Sequence, residues 1–478
     1  MTFLGKENLK LETVTSKNNS IRRFFGDKAF YKMVLVIAVP IMVQNGFTNF
    51  VSLLDNIMIG RVGTEQMSGA AIVNQLLFIY NICIFGGVSG AGIFTAQFFG
   101  QKNDEGVRQT VRFKIWMCLI LTIATILLFL TCGDSLIMLY LQGEGSSESI
   151  AATMHYAQQY LKIMLIGLPA FMMVQVYSST LRECGQTILP MKAGVIAVLT
   201  NLVLNYILIY GKFGAPALGV QGAAIATVIS RYVEIAVVLI QTHAHTEENK
   251  FAQGLYTTLK VPAPLTKKLI IQGMPLLLNE TLWAMGTAFL TQCYSVRGLN
   301  VVAAFNITTT IQNVFNIAFI AMGDAVAILV GQLLGAGKLD EAKDTDTKLI
   351  VFSVLCSFVV GAIMFLLAPL FPELYKTTAD VKELAIQFIR IYGIYLPVFS
   401  FLHVAYFTLR SGGKTIITFI FDSVFLWVAS VPLAFYLSRF TALPVLGIYI
   451  SVLAMDLVKS LIGGVLVYKN VWIQNLVE

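Results

Sequence analysis

Long apolar runs alternate with short polar connections along nearly the whole chain. In windows of about 20 residues, the number a helix needs to cross a hydrocarbon core, the runs predict twelve spans. They lie near 33–57, 68–98, 113–132, 156–180, 188–210, 216–240, 269–293, 301–330, 349–371, 383–408, 416–437 and 444–468. Residues 241–268 break the rhythm: they are polar, carry Pro262 and Pro264, and separate six spans from six. The pattern divides the chain into an amino-terminal segment 1–32, a six-helix bundle 33–240, a linker 241–268 with room for an amphipathic surface helix, a second six-helix bundle 269–468 and a tail 469–478. The expected fold class is an all-α polytopic membrane protein.

The second bundle repeats the first. Pro40 recurs as Pro275, and QFFG at 97–100 recurs as QLLG at 332–335, both at an offset of 235. LRECGQT at 181–187 recurs as LRSGGKT at 409–415, and Gly219 as Gly447, both at 228. Six spans per half is an even number, so both halves enter the membrane in the same sense. That is a parallel repeat, related by an axis along the membrane normal.

Composition changes this picture little. Hydrophobic residues make up 57% of the 478 and charged ones 12%, against about 25% charged in a soluble chain. The net charge of +7 does not indicate nucleic acid, because the basic residues sit between apolar runs. Their placement sets orientation instead. Lys6, Lys10, Lys17, Arg22, Arg23, Lys28 and Lys32 precede span 1, Lys102, Arg108, Arg112 and Lys114 follow span 2, and Lys250, Lys260, Lys267 and Lys268 fill the linker. The opposite loops are nearly bare, so both termini are expected in the cytoplasm of a cell carrying this protein in its plasma or inner membrane. No signal peptide is visible. The six cysteines show no CxxC spacing, and His243 and His245, two apart, do not share a helical face, so no metal and no organic cofactor is expected.

Charge inside the spans carries the candidate chemistry. GMPLLLNETLWAMG, 273–286, holds Asn279 and Glu280 in the middle of an apolar run. An acid at the centre of a spanning helix costs roughly 2.5–3.5 kcal/mol on insertion scales for aspartate, and such residues face cavities or partners. Asp55 lies toward the far end of span 1, Asp324 well inside span 8, and Asp422 near the start of span 11, where an interfacial position is expected. Asn201 and Asn205 on span 5 are one helical turn apart and point the same way. Arg231 with Glu234, and Asp456 with Lys459, have i, i+3 spacing and predict two structural ion pairs. Trp283, Met285, Tyr294, Phe305 and Phe315, with Asn279, form a candidate lining for a lipophilic cavity, since aromatic faces attract organic cations and methionine adapts to varied shapes.

In these features the chain resembles the multidrug and toxic compound extrusion (MATE) family of cation-coupled transporters. The resemblance spans roughly 33–468 and rests on Pro40 with LLDNIMIGRVGTE (53–65), AQFFGQKND (96–104), LRECGQT, GVQGAAIAT (219–227), PLLLNETLW (275–283) and GQLLGAGKLDEA (331–342), in that order. It implies two six-helix bundles in a V around a central cavity, and export of organic, often cationic and lipophilic compounds in exchange for Na⁺ or H⁺. It also implies an acid on span 1, here Asp55, and one on span 7, here Glu280. An amino-terminal ion cluster of the family maps onto Asp55, Asn201, Asn205 and Thr227, but position 205 is Asn where that branch has Asp, and Asn cannot release a proton. A span 10 acid found in another branch is missing, since residues 386–407 hold no Asp or Glu. Glu280 is therefore the expected principal coupling carboxylate, with Asp324 as a further candidate.

Other classes fit less well. A flippase for a lipid-linked saccharide, from the same broader superfamily, calls for a cavity rich in Arg or Lys. An enzyme is disfavoured because HExxH, GxSxG and Walker A motifs are all missing. A single chain that contains both halves is expected to act as a monomer on a small organic substrate in the lipid bilayer.

Overall fold

The structure, a computed structural model, describes residues 24–141, 147–375 and 377–478. The expectations for residues 1–23, and for 142–146 of the bare loop after span 3, lie outside the described residues. The described chain folds into long helices: α1 Lys28–Gly60, α2 Thr64–Gly100, α3 Asp104–Leu141, α4 Ser147–Glu183, α5 Ile188–Tyr210, α6 Val220–Ala244, α7 Ala263–Ser295, α8 Leu299–Gly335, α9 Leu339–Leu367, α10 Ala379–Ser411, α11 Thr415–Phe440 and α12 Val445–Tyr468. All of these except α7 carry a stretch long and apolar enough to cross a membrane. Helix α7 has the length, 33 residues or about 50 Å, but Gln272, Asn279 and Glu280 dilute its apolar run.

Local chemistry sets the helix ends. The Asp27 carboxylate accepts from the Phe30 amide (2.7 Å) and starts α1, satisfying a backbone donor that has no partner within the helix. Gly211 ends α5 in the left-handed conformation at φ 66°, which glycine adopts without a Cβ penalty. The repeat extends into the helix interiors: Pro169 lies within α4 and Pro397 within α10, as Pro40 does in α1 and Pro275 in α7. Each proline removes one i→i−4 hydrogen bond and bends its helix.

Exposed apolar side chains run along the outer faces, for example Ile120, Leu127 and Leu130 on α3 and Phe358, Val359 and Leu366 on α9. Water does not tolerate such continuous apolar surface on a monomer; a bilayer accommodates it. Between the end of α6 and the start of α7 the linker forms a 3₁₀ turn, Lys250–Ala252, and no separate amphipathic helix. It is docked under the first bundle, where Arg112 donates to the carbonyls of Leu255 (3.0 Å) and Gly254 (2.9 Å).

Helices α1–α6 and α7–α12 form two lobes that meet through α1 with α8, α2 with α7 and α2 with α8. These contacts concentrate at the face carrying both chain ends. There Val34, Ile37 and Ile41 of α1 share a core with Ala325, Val326 and Leu329 of α8. Gly90 of α2 and Gly273 of α7 touch backbone to backbone, and a Cβ on Gly86 would sit 3.0 Å from the Leu277 Cα, the small-residue packing typical of helices in lipid. Toward the opposite face Phe47 and Phe50 of α1 are exposed. The lobes are thus packed against each other at the terminal face.

Candidate functional site

Four of the residues singled out in the sequence converge in the first lobe. Asn205 Nδ2 donates to Asp55 Oδ1 at 2.5 Å and to Asn201 Oδ1 at 3.0 Å. Asn201 lies 3.2 Å from Thr227 Oγ1; with its amide turned so that the oxygen faces that hydroxyl, it donates to Asp55 Oδ1 at 2.9 Å and no longer accepts from Asn205. Both asparagines are buried, at 5% and 1% exposure, because one helical turn separates them on the inward face of α5. The Asn205 side-chain oxygen is left without a protein partner. One carboxylate, two amide oxygens and a hydroxyl within one cluster form a donor set suited to a hard cation, or to a proton on Asp55 with the amides holding its other oxygen. Arg231 is ion-paired to Glu234 at 2.8 Å, as its spacing predicts.

The second lobe holds Glu280 in a longer chain of contacts. Tyr406 OH, from α10, donates to Glu280 Oε1 (3.1 Å) and accepts from Asn279 Nδ2 (3.3 Å). Asn279 also donates to Asp422 Oδ2 (3.1 Å), and its own side-chain oxygen accepts from Ser423 Oγ (2.7 Å). Lys459 Nζ donates to Asp422 Oδ1 at 2.6 Å. One expectation changes here: Lys459 pairs with Asp422 across helices in place of Asp456. The cause is local backbone: Ile420–Val424 and Leu426–Ser430 of α11 are π-helical turns. The wider turn rotates Asp422 and Ser423 toward α7, a distortion common at functional sites.

Asp324 belongs to neither cluster. The positive charges acting on it are those of Arg182 of α4 and Arg410 of α10, the repeated arginines of LRECGQT and LRSGGKT. Beside them Lys114 Nζ donates to Glu183 Oε2 at 2.5 Å, and Arg182 to Gln44 Oε1 at 3.0 Å. Lys114, expected in the loop after span 2, is buried within α3, and Arg182, Glu183, Tyr406 and Arg410 were not expected as site residues. The repeat itself marked the two arginines, but no local pattern marked the others.

The repeated glutamines close the terminal face reciprocally. Gln97 Nε2 of α2 donates to the carbonyl of Ser411 at the end of α10 (3.1 Å), and Gln332 Nε2 of α8 donates to the carbonyl of Glu183 at the end of α4 (2.8 Å). Positions 183 and 411 are equivalent in the repeat, so the two contacts are one interaction made twice about the pseudo-twofold axis. A Cβ on Gly100 would collide with the Gln332 carbonyl, and one on Gly335 with the Gln97 carbonyl. The carboxy-terminal tail joins in: Gln97 also donates to the Gln474 carbonyl (3.3 Å) and accepts from the Leu476 amide (2.7 Å), while Trp472 is 1% exposed.

The expected cavity lining separates into two groups. Trp283 and Met285 are 46% and 55% exposed on α7. Tyr294 and Phe305 pack instead inside the second lobe with Phe388 and Tyr449, ring centroids 5.0–6.1 Å apart, and Phe315 packs on Phe371 at 5.8 Å. Asn279, 1% exposed, is a link in the hydrogen-bond chain rather than part of a wall. No group of His, Cys, Asp and Glu suited to a metal ion occurs among the described residues.

The family model described as MatE matches residues 40–207 and 275–436, one match per lobe, starting at Pro40 and Pro275. The chain is 27% identical over 453 residues to the "Probable multidrug resistance protein NorM" of Thermotoga maritima, covering 92% of this chain and 93% of that one. It is 23% identical to the "Probable multidrug resistance protein YoeA" of Bacillus subtilis, covering 96% and 97%. Among solved structures, a MATE in complex with MaD3S superposes with a TM-score of 0.82 at 20% identity, covering 95% of this chain and 98% of that one. The outward-facing conformation of a multidrug resistance MATE family transporter superposes at 0.80, with the same identity and coverage. With twelve helices in two repeat-related lobes and a family match in each, this chain belongs to the multidrug and toxic compound extrusion (MATE) family.

Proposed function

We propose that this chain is a secondary-active exporter that expels organic, cationic and lipophilic compounds by antiport with H⁺ or Na⁺. The observation that carries the reading is a partly buried carboxylate held in a polar cluster in each lobe, Asp55 on α1 and Glu280 on α7. Glu280 is the principal exchanging group: its hydrogen bond comes from a neutral hydroxyl, so a proton or a sodium ion is free to compensate it. Asp55 is the second, and Asp324, on which the charges of Arg182 and Arg410 act, is a further candidate. Trp283, one helical turn beyond Glu280, and Met285 offer an aromatic face and an adaptable thioether to a lipophilic cation. The names of the NorM and YoeA relatives support this substrate class.

The distribution of Lys and Arg makes the terminal face cytoplasmic, in the cell membrane, with both chain ends inside. The conformation closed there is then outward-facing, the state from which substrate leaves and an ion enters. Both lobes are in one chain, so a monomer suffices.

The test is efflux of a fluorescent lipophilic cation from liposomes holding the purified protein, with ΔpH and ΔpNa imposed separately. At least one gradient should accelerate efflux, and Glu280→Gln, which keeps shape without a titrating group, should abolish the acceleration while the protein stays folded. Gradient-driven efflux at the native rate in that variant would refute the assignment of Glu280.

A further inference from the structure

Two carboxylates, Glu280 and Asp422, stand in one polar chain in the second lobe, yet their surroundings differ. Both oxygens of Asp422 are engaged: Oδ1 accepts from Lys459 at 2.6 Å and Oδ2 from Asn279 at 3.1 Å. The side chains of the pair are 11% and 16% exposed, and the Lys459 ammonium also lies over the Phe421 ring at 5.2 Å. Glu280 accepts one bond, from Tyr406. The remaining charged or titratable groups around them are Arg410 and His403 on α10 and Asp456 on α12.

We propose that Lys459 is a tethered counter-ion that permanently occupies the cation position of Asp422, so that the second lobe exchanges one external cation, at Glu280, and not two. This rests on the antiport reading. A carboxylate buried away from water demands a compensating positive charge. Lysine meets that demand covalently, since its ammonium cannot diffuse away with the substrate cycle. The π-helical turn that aims Asp422 at Asn279 ties the neutralised pair to the exchanging one, because Asn279 and Tyr406 connect Asp422 to Glu280. Lys459 is a positioning and charge-setting residue; it touches neither ion nor substrate.

Replacing the lysine alone should therefore create an ion site. Purified full-length wild type, Lys459→Met and the double variant Lys459→Met/Asp422→Asn are compared by thermal unfolding in sodium chloride against choline chloride. Lys459→Met should show a larger sodium- or acid-dependent rise in Tm than wild type, and the double variant should return to the wild-type rise. In liposomes the cations moved per substrate should increase by one in Lys459→Met and return to the wild-type ratio in the double variant. A Lys459→Met protein with wild-type ion dependence in both measurements overturns the proposal, as does a double variant that keeps the gained dependence. If Lys459→Met does not fold, Lys459→Arg supplies the same charge and should retain the wild-type ratio; a changed ratio there also overturns it. Absence of ion-driven transport in wild type would refute the antiport reading, whereas the unfolding comparison bears on Lys459 without any transport.

Discussion

Removing the Gln97 side chain should shift the balance between closed and parted lobes at the terminal face. In Gln97→Ala three hydrogen bonds at the closed face are lost, one to the second lobe at the Ser411 carbonyl (3.1 Å) and two to the carboxy-terminal tail, at the Gln474 carbonyl (3.3 Å) and the Leu476 amide (2.7 Å). Once the lobes part at this face, water solvates the same groups, so each bond counts at its net value of about 0.5–1.5 kcal/mol. Taking about 2–3 kcal/mol for the three, the equilibrium should move away from the terminally closed state by roughly 30- to 140-fold. Gln332→Ala loses the single bond to the Glu183 carbonyl (2.8 Å), about 1 kcal/mol, and should move it only about fivefold. Distances between spin labels placed across the opposite face, in a background lacking the six native cysteines, report the two populations directly. Unchanged distances in Gln97→Ala, or a larger change in Gln332→Ala than in Gln97→Ala, would refute the reasoning.

Other outcomes follow from the two ion clusters. Asn205→Asp adds a titrating group beside Asp55 and should change the pH or Na⁺ dependence of efflux, while Asn205→Ala should cost less activity than Asp55→Asn; a dead Asn205→Ala beside a normal Asp55→Asn would contradict this. If Asp55 and Glu280 each exchange one ion against a monovalent organic cation, one net charge crosses per cycle, and a membrane potential contributes about 2.3 kcal/mol per 100 mV. Efflux measured under a potassium–valinomycin potential at fixed ΔpH and ΔpNa should respond; insensitivity would reduce the exchange to one ion. Gly335→Ala, which places a methyl against the Gln97 carbonyl, should open the terminal face in the same direction as Gln97→Ala, as read by the same label pairs.

Much of this protein was determined along the chain alone. Spans follow from the length of apolar runs, because a bilayer admits only segments whose backbone is satisfied internally. Duplication follows from matched landmarks such as Pro40 and Pro275. The Asn201–Asn205 face follows from the helical period, and Arg231–Glu234 from i, i+3 spacing, whereas the joining of Asp55 and Thr227 to the asparagines was implied only by the family resemblance. Tertiary structure decided what depends on which helices become neighbours. Asp456 and Lys459 have the right spacing for a pair, yet Lys459 found Asp422, 37 residues away, because the π-helical turns of α11 re-aim that aspartate and no periodic rule anticipates such turns. Tyr294 and Phe305 carry the chemistry of a cavity wall but were drawn into an aromatic core, since burial is settled by packing and not by residue type. Gln97 meets a carbonyl 314 residues away; one polar side chain has no partner until two lobes close on it, and only the folded chain says which lobe that is.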